Sequence, residues 1–136
     1  MKYCVLGAGL MGRAAAYDLL QQQDTEKVIL ADSNQKQLDE VTEFLCDKRL
    51  VPKIFDASNL TQVENIFKEV NAAVAAVHYK FNEGFTRVAI KTKTHLCDLG
   101  GNNSVVDKQL AMSNEAKSAG VSIALGLIFA FFKKSL

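Results

Sequence analysis

Along the chain, short apolar runs of strand length alternate with stretches whose apolar residues recur every three or four positions. The runs fall at Lys2 to Leu6, Lys27 to Ala31, Lys53 to Phe55, Ala72 to Val77, His95 to Leu99 and Val121 to Leu125. Between them, Leu38, Val41 and Leu45 line one helical stripe, Val63, Ile66, Phe67 and Val70 a second, and Phe81, Phe85, Val88 and Ala89 a third. Such alternation predicts a parallel sheet with helices on both faces, each stripe turned toward the sheet. Right-handed crossovers then give the strand order 3-2-1-4-5-6, with the later strands placed by analogy. Ser58 or Asn59 is placed to cap the helix before Val63, Ser104 with Asp107 reads as a capping box before the last helix, and Gly120 as that helix's stop. No linker, repeat or low-complexity segment interrupts the pattern, so residues 1–125 are expected to form one doubly wound α/β domain.

Composition narrows the classes without choosing among them. A length of 136 residues suits a single core, and 49% apolar with 23% charged residues excludes a disordered chain. The net charge is +1 with Lys and Arg scattered, so no basic stripe is present for nucleic acid. The most apolar window, Val121 to Phe132, is interrupted by Gly126 and is shorter than the ~20 residues a membrane span needs. Cys4, Cys46 and Cys97 are odd in number and widely spaced, which fits a reducing cytoplasm rather than a disulfide framework, and no secretory leader is expected at Met1.

The chemistry is concentrated where the first apolar run ends. Gly7-Ala8-Gly9-Leu10-Met11-Gly12 fits G-x-G-x-x-G between a strand and a helix running to about Gln22. In that context Gly7 permits a tight turn, Gly9 lacks the Cβ that would keep a pyrophosphate away, and Gly12 lets helix and strand approach. The N–H groups opening the helix then face the phosphates, where the helix dipole favours negative charge. Twenty positions after Gly12 comes Asp32, at the spacing of ~20 residues expected for a carboxylate that accepts ribose hydroxyls. Together these residues predict a Rossmann-type site for a nicotinamide dinucleotide. A carboxylate at Asp32 repels a 2′-phosphate and favours NAD, although Ser33, Asn34 and Lys36 could hold NADP if Asp32 swung away. Asp56-Ala57 follows the third strand at the rim where adenine rests; Asp56 reads equally well as a turn or helix cap. His78 follows a buried strand at the crevice edge, as a nicotinamide neighbour or an ordinary loop residue.

Other readings of the same letters are weaker. G-x-x-x-x-G-K-[ST] does not occur, which excludes a P-loop hydrolase. A nucleotide-fold methyltransferase would share the acid after strand two, yet Val5 stands where such enzymes commonly carry another acid. The Tyr-x-x-x-Lys pair of short-chain dehydrogenases is missing, since Tyr3, Tyr17 and Tyr79 are followed four places on by Gly7, Gln21 and Glu83. His95, Cys97 and Asp98 make a poor metal set, because His95 and Cys97 share a strand face and a fourth ligand has no source. No catalytic side chain and no metal are assigned.

The glycine motif, Asp56-Ala57, Phe81-Asn82 and above all Cys97-Asp98-Leu99-Gly100-Gly101-Asn102 resemble the saccharopine dehydrogenase family, lysine 6-dehydrogenases in particular. The resemblance runs from Met1 to about Ile123. It implies an NAD(P)-dependent oxidoreductase acting at the C–N bond of a lysine-derived amino acid. It further implies that Gly7, Gly9, Leu10, Met11 and Gly12 hold pyrophosphate, Asp32 holds ribose, Asp56-Ala57 lies by adenine, and Val77 and His78 border the nicotinamide. Family members continue into a Gly-Leu-Ala-Pro-Gly-like turn and a substrate domain. This sequence reads Ala124-Leu125-Gly126-Leu127-Ile128-Phe129-Ala130-Phe131-Phe132 and ends at Leu136. The expectation is therefore a cofactor domain that does not catalyse alone, with an apolar tail at 126–136 from truncation or a frameshift. On a milder reading, Leu127 to Phe132 packs against a partner chain or a second copy, as in a homo-oligomer, and an amino-acid substrate enters only if a second domain or chain is supplied. A non-catalytic binding or sensing subunit is the further alternative.

Overall fold

The computed structural model describes residues 1–126, and the apolar tail expected at 126–136 lies, beyond Gly126, outside the described residues. Six strands, β1 (Lys2–Leu6), β2 (Lys27–Asp32), β3 (Leu50–Ile54), β4 (Ala72–Ala75), β5 (His95–Asp98) and β6 (Ile123–Ala124), form one sheet in the order β3-β2-β1-β4-β5-β6. Every adjacent pair is parallel. Helices α1 (Leu10–Gln21), α2 (Gln35–Leu45), α3 (Leu60–Phe67), α4 (Asn82–Thr92), α5 (Asn103–Leu110) and α6 (Ser113–Ala119) make the connections. This is the doubly wound Rossmann order predicted from the alternation, with its switch point between β1 and β4.

Alternation along β1 builds two cores at once. Cys4 and Leu6 join Phe67, Phe85 and Ala89 under α3 and α4, while Val5 joins Ala16, Leu20, Leu38 and Val41 under α1 and α2. Both faces are covered, which is why β1 and β2 read as continuous apolar runs rather than as every second residue. Fourteen buried residues in one cluster and nine in the other lock the carboxyl ends of the central strands in place.

The differences from expectation lie at the edges. β3 begins three residues earlier than Lys53, at Leu50, and carries Pro52, which breaks the strand signal in the letters; Val51 and Pro52 are exposed on this edge strand, where the missing proline N–H is tolerated. β4 stops at Ala75, short of Val77, and β6 is only two residues long. Asn59, not Ser58, caps α3 by accepting from Gln62 N. Ser104 and Asp107 lie inside α5, whose cap is Asn102, accepting from Val105 N at 3.2 Å. The last helical stretch is two helices, broken near Met112, and Gly120 ends the second with φ +70°. Sequence periodicity also missed Arg49: its guanidinium pairs with Asp47 and donates to Leu20 O (2.5 Å), one of the carbonyls left over where α1 ends, and to Thr25 O (3.3 Å) in the loop that follows.

Candidate functional site

The carboxyl ends of β1, β2 and β4 converge on the turn Gly7–Gly12, and each glycine answers to a different neighbour. Gly7 has φ +101°, and a Cβ there would sit 2.5 Å from Ala76 O. At Gly12 an added Cβ would run into Gly7 O, so strand and helix touch backbone to backbone. Gly9, in contrast, has φ −70° and nothing within 4 Å of where a Cβ would be. Packing explains Gly7 and Gly12, whereas at Gly9 neither packing nor backbone conformation demands a glycine, and the turn is open to solvent there.

The start of α1 is unusual within this chain. Helices α2, α3 and α5 are each capped by an asparagine side chain, Asn34, Asn59 and Asn102. Helices α4 and α6 continue from residues already near helical geometry. Among the described residues, α1 alone starts from an extended residue with no side-chain cap. Its first N–H groups therefore point out unpaired beside the gap at Gly9, with Leu10 84% exposed and Met11 52% exposed on the first turn.

Asp32 closes one side of this turn. Its Oδ2 accepts from Ala8 N at 2.7 Å and its Oδ1 from Asn34 N at 2.8 Å, so the carboxylate is fixed on the glycine turn with lone pairs to spare. Asp32, Ser33, Phe55, Asp56, Ala57, Val77 and Phe81 line one cleft of about 220 Å³. The structure thus gathers five of the sequence-selected residues, Asp32, Ser33, Asp56, Ala57 and Val77, into a single groove. The Asp56 carboxylate starts the turn into α3, accepting from Ser58 N and Ser58 Oγ, and those bonds hold its pKa below the ordinary carboxylate value. His78 is exposed and outside the groove; its Nδ1 accepts from Lys80 N at 3.2 Å and its ring lies 4.2 Å from that of Tyr79. A larger cavity of about 310 Å³, lined by Gln109, Met112, Ala116, Ile123 and Leu125 among others, contains none of these residues.

Asp98 is the residue whose surroundings sequence reasoning did not foresee. It is fully buried, while His95 on the same strand is exposed and accepts from Ser122 N. Asp98 Oδ1 accepts from Gly100 N and Gly126 N, and Oδ2 from Gln109 Nε2. Only the Asp98-Leu99-Gly100-Gly101 spelling signalled it, and spelling alone gives no partners.

The geometry fits an elongated dinucleotide. Unpaired N–H groups beside the space at Gly9 can receive a diphosphate, the anchored carboxylate can accept the hydroxyls of a ribose, and the groove beyond has flat apolar walls for a base. Among the described residues no helix is long and apolar enough to cross a membrane.

Comparison with known proteins agrees. The model of the family described as "Saccharopine dehydrogenase NADP binding domain" matches residues 3–124. Saccharopine dehydrogenase (L-Glu forming) from Saccharomyces cerevisiae superposes with a TM-score of 0.78 at 14% identity, over 92% of this chain and 26% of that one. A probable dehydrogenase from Thermotoga maritima gives 0.72 at 21% identity, over 98% and 38%. Scyllo-inositol dehydrogenase from Lactobacillus casei with bound NAD(H) and scyllo-inositol gives 0.70 at 15% identity, over 96% and 37%. The chain thus spans between about a quarter and two-fifths of the length of these three structures.

Proposed function

This chain belongs to the saccharopine dehydrogenase NADP-binding domain family, and from that premise we propose that it holds the dinucleotide for an oxidoreductase acting on the C–N bond of a lysine-derived amino acid. The NAD(P)-binding Rossmann domain itself follows from the family and the fold. The observation that carries the reading is the pairing of the uncapped α1 start with the open space at Gly9. In this reading the N–H groups of Leu10 and Met11 bind the diphosphate, and the α1 dipole favours its charge there. Asp32 orients the adenosine ribose, and its attachment to Ala8 N ties ribose and diphosphate positions together. Ala57 and Phe81 exclude water from the adenine, with Asp56 setting the turn that holds Ala57 in place; Val77, expected beside the nicotinamide, lines this same groove.

When bound, the nicotinamide supplies a hydride acceptor or donor. Asp32 disfavours a 2′-phosphate by like charge, so NAD is the preferred form, with exposed Ser33 and Lys36 the residues through which NADP would be tolerated. Hydride transfer also needs a substrate held in reach and a site closed to water. The matched region spans 26% of the yeast enzyme, and we assign those tasks to residues beyond it, on a further domain or chain. The unpaired Cys4, Cys46 and Cys97 of this chain suit a reducing cytoplasm.

Parallel titration with NAD, NADP and S-adenosylmethionine, read by thermal shift, tests the binding claim. Stabilisation by NAD above the other two supports it; stabilisation by S-adenosylmethionine alone sinks it. Turnover with lysine or saccharopine tests the division of labour. The 136-residue chain is expected to bind without turning over, and measurable hydride transfer by it would refute the need for a further domain or chain.

A further inference from the structure

We infer that Asp98 is a positioning residue for the nicotinamide half of the site, acting as a buried staple that fixes the walls beyond β4 and β5; the inference rests on the dinucleotide-binding reading above. A buried carboxylate is costly unless its oxygens are satisfied. Asp98 is 0% exposed, and its described partners are neutral N–H donors: Gly100 N at 2.8 Å, Gly126 N at 3.0 Å and Gln109 Nε2 at 2.8 Å. Those three donors come from three places: the loop after β5, helix α5, and the chain just after β6.

Each contact leads on to the crevice. Gly100 continues into Gly101, whose φ of +128° brings it onto the Tyr79 ring, with Tyr79 Cδ1 only 3.0 Å from where a Cβ would be. Tyr79 in turn packs on His78, directly beyond β4. On the other side, Gln109 Nε2 also donates to Thr86 Oγ1 at 2.9 Å, and Thr86 Oγ1 donates to Asn82 O at 2.9 Å, the first residue of α4. One carboxylate therefore sets the loop after β5 and the start of α4, the two segments that flank the second mononucleotide position in a doubly wound sheet. Within the same buried cluster, Asn82 Oδ1 and Gln109 Oε1 have no described partner. The ribose and diphosphate residues, Asp32, Ala8, Leu10 and Met11, lie across the switch point and have no hydrogen bond to this network, whose nearest approach to the adenine groove is through Val77 and Phe81.

The experiment compares NAD with ADP-ribose, which carries the same diphosphate and adenosine but no nicotinamide, by calorimetry on the full chain. Asp98→Ala is expected to weaken NAD by about tenfold or more, the loss of charged hydrogen bonds that order a wall, while ADP-ribose changes by less than about twofold. Asp98→Asn should recover the part of the loss that runs through the loop after β5, since its remaining Oδ1 still accepts from Gly100 N and Gly126 N. Should Asp98→Ala fail to fold, Tyr79→Ala removes the contact that relays the staple and leaves the buried network intact; it is expected to show the same NAD-selective loss. Equal weakening of both ligands, or no change in either, overturns the inference. So does wild-type protein that binds NAD no better than ADP-ribose. Wild-type protein that binds neither ligand fails earlier, at the dinucleotide-binding reading itself.

Discussion

Alanine placed at Gly9 and at Gly12 should separate binding from stability within one six-residue turn. At Gly12 the new Cβ meets Gly7 O, with Gly7 C at 2.8 Å, and neither atom can yield: Gly7 N is bonded to Ala31 O at 2.7 Å and Gly7 itself is wedged against Ala76. Overpacking against backbone costs about 3 kcal/mol or more, the upper end of the range for buried insertions. In a domain of this size that lowers Tm by roughly 10 °C or prevents folding. At Gly9 the Cβ enters open space at φ −70°, an ordinary conformation for any residue. The loss of unfolded-chain entropy stabilises by about 0.4–1 kcal/mol, and the poorer cap offsets it by a few tenths, so Tm stays within roughly 3 °C of the parent. NAD at a hundred times Kd should stabilise the parent by about 2.7 kcal/mol, read as a rise in Tm of roughly 10 °C. Gly9→Ala should show almost none of that rise, because its methyl stands where the diphosphate approaches. Differential scanning fluorimetry with and without NAD supplies all four numbers. A Gly9→Ala protein that keeps the full NAD response, or that melts as early as Gly12→Ala, refutes the assignment of the space to a ligand.

Three other outcomes follow from particular residues. Asp32→Ala should weaken NAD by about tenfold to a hundredfold while NADP falls less, because one charged acceptor and its repulsion of a 2′-phosphate go together; an unchanged NAD:NADP ratio in isothermal titration would count against Asp32 as the ribose ligand. Asp47 is held at a pKa of about 2 by hydrogen bonds from the Arg49 side chain and N–H, below its unperturbed 3.8. A depressed folded pKa stabilises fully above the unfolded value and is lost as pH falls through the folded one, so Asp47→Asn should flatten the drop in Tm between pH 4 and pH 2 and leave a smaller acid slope than the parent. With a thiol reagent at pH 8, exposed Cys46 should react first, half-buried Cys97 more slowly because burial and the Asp98 charge raise its pKa, and Cys4 only on unfolding, since full burial pushes its thiol far up; rapid labelling of Cys4 in native protein contradicts the core.

What could be read from the letters was whatever local spacing encodes. Leu38 and Val41, or Val63, Ile66 and Phe67, repeat at helical intervals because each faces the sheet, and the strand order followed from their alternation with strands. Gly9 and Asp32 were legible because their spacing is fixed by one turn, one helix and one strand. The start of β3 was not, since Pro52 interrupts the run of Leu50 and Val51 and is tolerated only because this strand lies at the sheet edge. Nor were the contacts of Arg49 with Leu20 O and Thr25 O, or of Asp98 with Gln109 and Gly126: these are hydrogen bonds between residues 11 to 29 positions apart, and no periodic pattern specifies them. His78 was selected for its place after a strand, which the fold confirms, but its Nδ1 is engaged by the next turn and is not left open to the groove.

Three helices in this chain carry their own asparagine at the entrance, and α1 does not. In the cofactor-free protein water meets those first N–H groups, and a bound diphosphate would take its place with a charge that the helix start favours. Survival of the folded chain is then tied to the surrounding dinucleotide pool, and a cell short of that nucleotide would degrade this protein sooner than one that has plenty.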